Sequence, residues 1–152
     1  RLTPTEMVKY ISDLHGMDAR EFEKRKNELF SSLDMHSFAD RRIGQLSTGM
    51  KQKTSIVRTI IHDPPVLIFD EPTSGLDIMT SRAIMDLIRK CKDDGKTVIF
   101  STHRMGEINQ VCDDIAIIFS GKLYCNDPLE KFKNEMTKDN FEDEFIFRVE
   151  EK

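Results

Sequence analysis

Two adjacent carboxylates close the apolar run Val66-Leu67-Ile68-Phe69. Asp70-Glu71 is followed by Pro72, and Asp63-Pro64-Pro65 precedes the run. A short apolar segment bounded by prolines reads as a β-strand buried on both faces. In open α/β sheets the carboxyl end of such a strand is where ligands bind. Removing a carboxylate from water is costly unless it is paired or binds a metal, so two in succession call for a reason. Magnesium supplies one, because it takes oxygen ligands and keeps most of its waters. On that reading Asp70 orients the metal, directly or through a water, and Glu71 orients or deprotonates an attacking water. A solvated acid pair at a strand end is the alternative for this block alone.

Three further blocks share the chain with it. Thr73-Ser74-Gly75-Leu76-Asp77 follows directly, and Ser101-Thr102-His103 stands at the end of the next apolar run. Upstream, Leu46-Ser47-Thr48-Gly49-Met50 lies at the mouth of a predicted helix. A helix start with a serine and a glycine suits a phosphate: its N–H groups are unpaired, and glycine lets the backbone approach closely.

The elements that must hold these blocks follow from periodicity. Thr3-Pro4-Thr5-Glu6 reads as a capping box opening a helix that carries Met7, Ile11 and Leu14 and ends at Gly16. Asp18 opens a second, with Phe22, Leu29 and Leu33 as its stripe. Its run Glu23-Lys24-Arg25-Lys26-Asn27-Glu28 reads as a solvated face with internal ion pairs. A third helix starts near Ser47 and stops at Asp63-Pro64-Pro65. After the Val66 strand come a helix from Ile78 to Cys91, a strand Thr97-Val98-Ile99-Phe100-Ser101, a helix around Met105, Ile108 and Val111, and a third strand Ile115–Phe119. Ser120-Gly121 turns the chain into Lys122-Leu123-Tyr124, and Asp127-Pro128-Leu129-Glu130 caps a last helix. Strand alternating with helix predicts an α/β fold with a parallel sheet and helical crossovers. Three parts are expected: a helical subdomain over residues 1–62, a catalytic-core portion over 63–136, and an acidic tail over 137–152 with an edge strand at Phe145-Ile146-Phe147.

Four blocks in this order resemble the nucleotide-binding domain of ABC transporters, from Leu2 to about Phe132. Leu46-Ser47-Thr48-Gly49-Met50 is similar to the family signature, usually L-S-G-G-Q. Ile68-Phe69-Asp70-Glu71-Pro72 looks like its Walker B strand, Ser74-Gly75-Leu76-Asp77 its D-loop, and His103 its switch histidine. The resemblance implies a partial P-loop NTPase-like parallel sheet with an N-terminal helical subdomain. It also implies ATP and Mg as cofactors, a second nucleotide-binding domain packed head to tail, and a transmembrane subunit as partner. Ser47 and the Gly49 N–H would then contact the γ-phosphate in trans, His103 would contact it in cis, and Asp77 would couple the two sites. Glu71 and His103 would be catalytic, and Asp70 would serve the metal. Thr48 and Met50 depart from the signature's glycine and glutamine, which puts any role of those two positions in doubt. The variant signature and Lys51-Gln52-Lys53 are similar to a bacterial exporter branch that includes sodium-efflux ATPase subunits.

The grip on the nucleotide is missing from these residues. No G-x-x-x-x-G-K-[ST] pattern occurs. Gly95-Lys96-Thr97 is a decoy, since position 90 is Lys90 and the triplet enters a strand instead of a helix. The chain alone is therefore expected to be inactive, with ATP hydrolysis belonging to a complete protein. It begins at Arg1, as expected of part of something longer. A fragment of a soluble ABC-type ATPase acting on ribosomes or DNA, or a truncated non-catalytic interaction module, are the alternatives.

Bulk composition bounds the rest. The 152 residues are 38% apolar and 33% charged, a globular balance. The net charge of −4 lacks the basic surface that nucleic acid requires, so no nucleic-acid partner is expected. Cys91, Cys112 and Cys125 form no C-x-x-C and read as small buried hydrophobes in a reducing compartment. His15, His36 and His62 read as surface or helix-end residues. No apolar run approaches the ~20 residues that span a bilayer. The expected location is therefore cytoplasmic, peripheral at the inner face of the cell membrane through a membrane partner.

Overall fold

A computed structural model describes residues 1–150, which divide into two compact units, the first over residues 1–101 and the second from residue 102 onward. The sequence boundaries after residues 62 and 136 separate stretches by their expected roles, and both fall inside these units.

The first unit opens with three helices: α1 (Pro4–Leu14), α2 (Ala19–Ser32) and α3 (Thr48–Ile60). Each starts on a polar side chain that takes up free N–H groups. Thr3 and Glu6 form the reciprocal capping box of α1, Asp18 accepts from Arg20 and Glu21 for α2, and Ser47 accepts from Met50 for α3. Gly16, at φ 67°, follows the end of α1 as its sequence position predicts. The buried face differs in detail from the predicted stripe. Val8 and Ser12 are buried on α1, while Leu14 is exposed. Phe22, Phe30, Leu33, Val57 and Ile60 are also buried.

Strands β1 (Val66–Asp70) and β2 (Thr97–Ser101) pair in parallel, with α4 (Ile78–Asp93) as the crossover. The predicted burial of β1 on both faces is not observed. Leu67 and Phe69 are buried, but Val66, Ile68 and the neighbouring Ile99 are exposed. Ile84, Met85, Leu87 and Ile88 of α4 are buried, as its period requires.

A polar knot fixes the passage from α3 to β1. Arg25 of α2 donates to the Ile60 and Ile61 carbonyls at 2.9 and 2.8 Å, occupying acceptors that the end of α3 leaves open. The same guanidinium meets Asp63 at 3.0 Å, and Lys96 meets Asp63 at 2.6 Å. Lys96 also donates to the Pro64 carbonyl. The Gly95-Lys96-Thr97 decoy thus ties β2 to the turn before β1.

The second unit contains α5 (Met105–Val111), β3 (Asp114–Phe119), β4 (Lys122–Pro128), α6 (Leu129–Asn134) and α7 (Phe141–Glu150). Strand β3 is not a third parallel strand. It forms an antiparallel hairpin with β4 through Ser120-Gly121, both at positive φ, the conformation that tight hairpin turns favour. Asp127 does not cap α6; its carboxylate takes Lys131 and the Cys125 thiol. The expected edge strand at Phe145-Ile146-Phe147 lies inside α7. Two causes outweigh its β-prone residues. Phe141, Phe145 and Val149 recur at helical spacing and pack on Ile115, Ile117 and Phe132. Buried Glu144 accepts from the Thr137 and Lys138 N–H groups and from Arg148 one turn on. Burial pushes the Glu144 pKa up, but Arg148 and those N–H groups hold it below its ordinary value.

Asp63 supplies a pH test of the knot. The Lys96 hydrogen bond is the chief cause that holds its carboxyl below the ordinary value near 3.8. Its stabilisation is therefore complete above that value and disappears as pH falls through the lower folded-state value. Asp63→Asn preserves a residue type that tolerates the left-handed backbone found there, φ 57°. Because Asp63 is half exposed, the expected loss at neutral pH is on the order of 1 kcal/mol or less. Urea unfolding should show the gap between wild type and variant narrowing as pH is lowered. A constant gap would reject the electrostatic role.

Candidate functional site

The parallel register sets Asp70 opposite Ser101 at the carboxyl ends of β1 and β2. The Ser101 hydroxyl donates to Asp70 Oδ1 at 2.5 Å and accepts the Glu71 N–H at 2.9 Å. One side chain of β2 thus grips two consecutive residues of the neighbouring segment. Glu71 sits at φ 43°, a left-handed backbone that costs a non-glycine residue on the order of 1 kcal/mol. Its carbonyl accepts from the Ser74 N–H at 3.1 Å, and Gly75 at φ 69° completes the turn toward α4. Both carboxylates are exposed, so the sequence argument from their burial does not hold. What sets the pair apart is its bracing by Ser101 and the strained backbone of Glu71.

No group of three His, Cys, Asp or Glu side chains among the described residues could hold a metal ion. A closed metal cage is therefore not built here. An exposed strand-end carboxylate such as Asp70 fits magnesium, which commonly binds through one or two carboxylates plus phosphate oxygens and waters.

A second cluster forms where two helices begin. Ser47 caps α3, its Oγ accepting from Met50 N–H at 3.3 Å. Asp77 caps α4, its Oδ1 accepting from Thr80 N–H at 2.9 Å. Hydrogen bonds from the Thr80 backbone and then its hydroxyl hold the Asp77 carboxyl below its ordinary value. Both caps line one concavity of about 440 Å³ that also includes Thr48, Gly49, Lys53 and Thr80. A side chain added at Gly49 would meet Thr80 at 3.5 Å, ordinary contact, so packing alone does not demand glycine there. Its absence keeps the first turn of α3 open to close approach. Capping uses Ser47 as an acceptor and leaves its proton available for donation to an anion. The N-terminal end of α3 adds a favourable field for negative charge.

The structure thus groups Ser47, Gly49 and Asp77 around one groove, and Asp70 and Glu71 around Ser101. His103 belongs to the second unit. There Thr102 Oγ1 donates to buried Glu107 at 2.7 Å and accepts from Arg104 N–H, while Arg104 pairs with Glu107 at 3.3 Å. His103 is exposed on the turn these residues hold.

The bracing role of Ser101 and the place of Thr80 at the Asp77 cap emerge in the structure. The signal for Thr80 was present, three residues after a capping aspartate. The His15 and His62 rings, far apart in sequence, stack at 3.7 Å. Nothing in their spacing announces that.

Comparison with known proteins bears on the family and the fold. The family model for "ABC transporter" matches residues 2–74. ABC transporter ATP-binding protein NatA of Bacillus subtilis is 37% identical over 140 residues, 91% of this chain and 57% of that protein. Nod factor export ATP-binding protein I of Ralstonia nicotianae is 32% identical over 120 residues, 79% of this chain and 37% of that protein. A solved structure of the ATP binding subunit of an ABC transporter matches with a TM-score of 0.87 at 24% identity, covering 98% of this chain and 63% of that one. At that identity the match speaks for the fold. The chain spans about half the length of the curated relatives it matches.

The Ser101 brace is testable without substrate. Ser101→Ala removes the acceptor for the Glu71 N–H and the donor to Asp70, whereas Ser101→Thr keeps a hydroxyl. Amide exchange at Glu71 should accelerate by about tenfold in the alanine variant, the equivalent of one ordinary hydrogen bond, and much less in the threonine variant. Unchanged exchange in Ser101→Ala would remove the brace from the account.

Proposed function

This chain is part of an ABC-type nucleotide-binding domain, and from that premise we propose that it supplies the signature, Walker B carboxylates and switch histidine of a transporter's ATP-hydrolysing subunit. The observation that carries this reading is the Asp70–Ser101–Glu71 arrangement at the ends of a parallel strand pair. Export is the favoured direction, because the relatives include a Nod factor export protein and the signature resembles an exporter branch.

Each residue has a distinct task in this reading. Asp70 would help hold magnesium, whose charge would offset that of the phosphates. Glu71, set on its turn by Ser101, orients an attacking water and accepts its proton. His103 donates toward the γ-phosphate. Ser47 and the Gly49 N–H donate to the phosphate of a nucleotide held by a second such domain. Asp77 fixes the start of α4 beside them and couples the two sites. The sequence holds no G-x-x-x-x-G-K-[ST] pattern, and this reading assigns the grip on the phosphates to a part of the protein outside these residues. No helix among the described residues is long and apolar enough to cross a membrane, and a transmembrane partner would hold the subunit at the cytoplasmic face.

The test compares ATP turnover and ATP binding in the whole protein. Glu71→Gln keeps the side-chain size but cannot take a proton. It should lower turnover by about 10²-fold or more while leaving ATP binding intact. The 152-residue chain by itself should show no turnover. Hydrolysis by Glu71→Gln within a few-fold of wild type would withdraw the general-base role.

A further inference from the structure

The two clusters of the first unit are joined by one side chain. Gln52 lies on α3, five residues beyond the Ser47 cap, and its Nε2 donates to the Pro72 carbonyl at 3.0 Å. Gln52 is half buried, and Pro72 and Thr73 are buried. Pro72 directly follows Glu71. The strained Glu71 backbone therefore has a hydrogen bond on each side: Ser101 from β2 holds its N–H, and Gln52 from α3 holds the next carbonyl but one along the chain from that N–H. The start of α4 is also close to the first turn of α3, because a side chain added at Gly49 would meet Thr80 at 3.5 Å.

A helix is stiff over two turns, so a displacement of its first turn reaches Gln52 almost undiminished. The turn it grips is short, braced and partly left-handed, with little slack to absorb that displacement. From this geometry we infer that Gln52 is a positioning residue, transmitting the placement of Ser47 and Gly49 through the Pro72 carbonyl to Glu71. The inference rests on the proposed ATPase reading and adds a consequence to it. Ser47 and Gly49 serve a nucleotide on a second domain, whereas Glu71 serves the nucleotide on its own. Gln52 therefore makes hydrolysis at one site depend on occupancy of the other. Its amide takes no part in the chemistry.

Three substitutions in the whole protein separate this role from a merely structural one. Gln52→Met keeps the length and loses the donor. Gln52→Glu keeps size and helix preference but turns an acceptor toward the carbonyl. Gln52→Lys restores a donor. The readouts are ATP affinity at equilibrium, kcat, and the Hill coefficient for ATP hydrolysis, each per folded molecule. Met and Glu should lower kcat about tenfold, the scale of one hydrogen bond made effective only in the assembled site. Affinity should stay within about twofold, and the Hill coefficient should fall toward one. Lys should recover part of both kcat and cooperativity. If Met does not fold, the Glu and Lys pair carries the same comparison. Wild-type kcat and Hill coefficient in the Met or Glu variant would overturn the inference alone. A wild-type protein without ATP turnover would overturn the ATPase reading and this inference together.

Discussion

The Ser101 hydroxyl holds the end of one strand to the beginning of a turn. It donates to Asp70 and accepts from Glu71, and the parallel register of β1 and β2 places it there. A shift of one residue in that register would turn the Ser101 side chain to the opposite face and break both bonds. The crossover α4 and the Arg25–Asp63–Lys96 knot keep the register, one after β1 and the other before it. Glu71 can then occupy a left-handed backbone that its residue type disfavours. Strain of this kind persists only where the surroundings over-determine it.

The same economy governs the groove. N-terminal caps stabilise helices α3 and α4 by about 1 kcal/mol each, and Ser47 and Asp77 provide them. Because both helices begin at one concavity, the capping groups also line it. A hydroxyl, open N–H groups and Lys53 offer contacts to phosphate, while the Asp77 carboxylate is occupied by Thr80. The side chains that cap the helices are also those to which the proposed function assigns contact with the nucleotide. A substitution at either cap therefore alters helix stability along with any effect on a ligand.

Much of this was legible in the sequence, and the misses have physical causes. Caps, proline stops and the 3.6-residue period located α1 to α4, because those signals are local. The ends of β1 and β2 were equally plain, and with them Asp70, Glu71 and Ser101. The exposure of Val66, Ile68 and Ile99 was not legible, since an apolar run does not say how many of its faces are covered. The pairing of β3 with β4 was signalled by Ser120-Gly121, yet the strand–helix alternation favoured a parallel arrangement. Helix α7 was missed because Phe145-Ile146-Phe147 is β-prone in isolation. Its helical state depends on Glu144 and on packing against Phe132. Contacts between distant residues, such as Gln52 with Pro72, have no sequence signature at all.

The central claim is that one chain serves two nucleotides: Asp70 and Glu71 act on its own, Ser47 and Gly49 on a partner's. The most direct measurement is ATP occupancy in a purified mixed dimer of the whole protein. One subunit carries only Ser47→Arg, and the other carries only a disabled phosphate-loop lysine. If the signature acts across the interface, both lesions fall on the same composite site. The account predicts one ATP bound per mixed dimer, with neither homodimer retaining an intact site. A folded mixed dimer with both sites defective would contradict it, because that pattern follows when Ser47 serves the nucleotide of its own subunit.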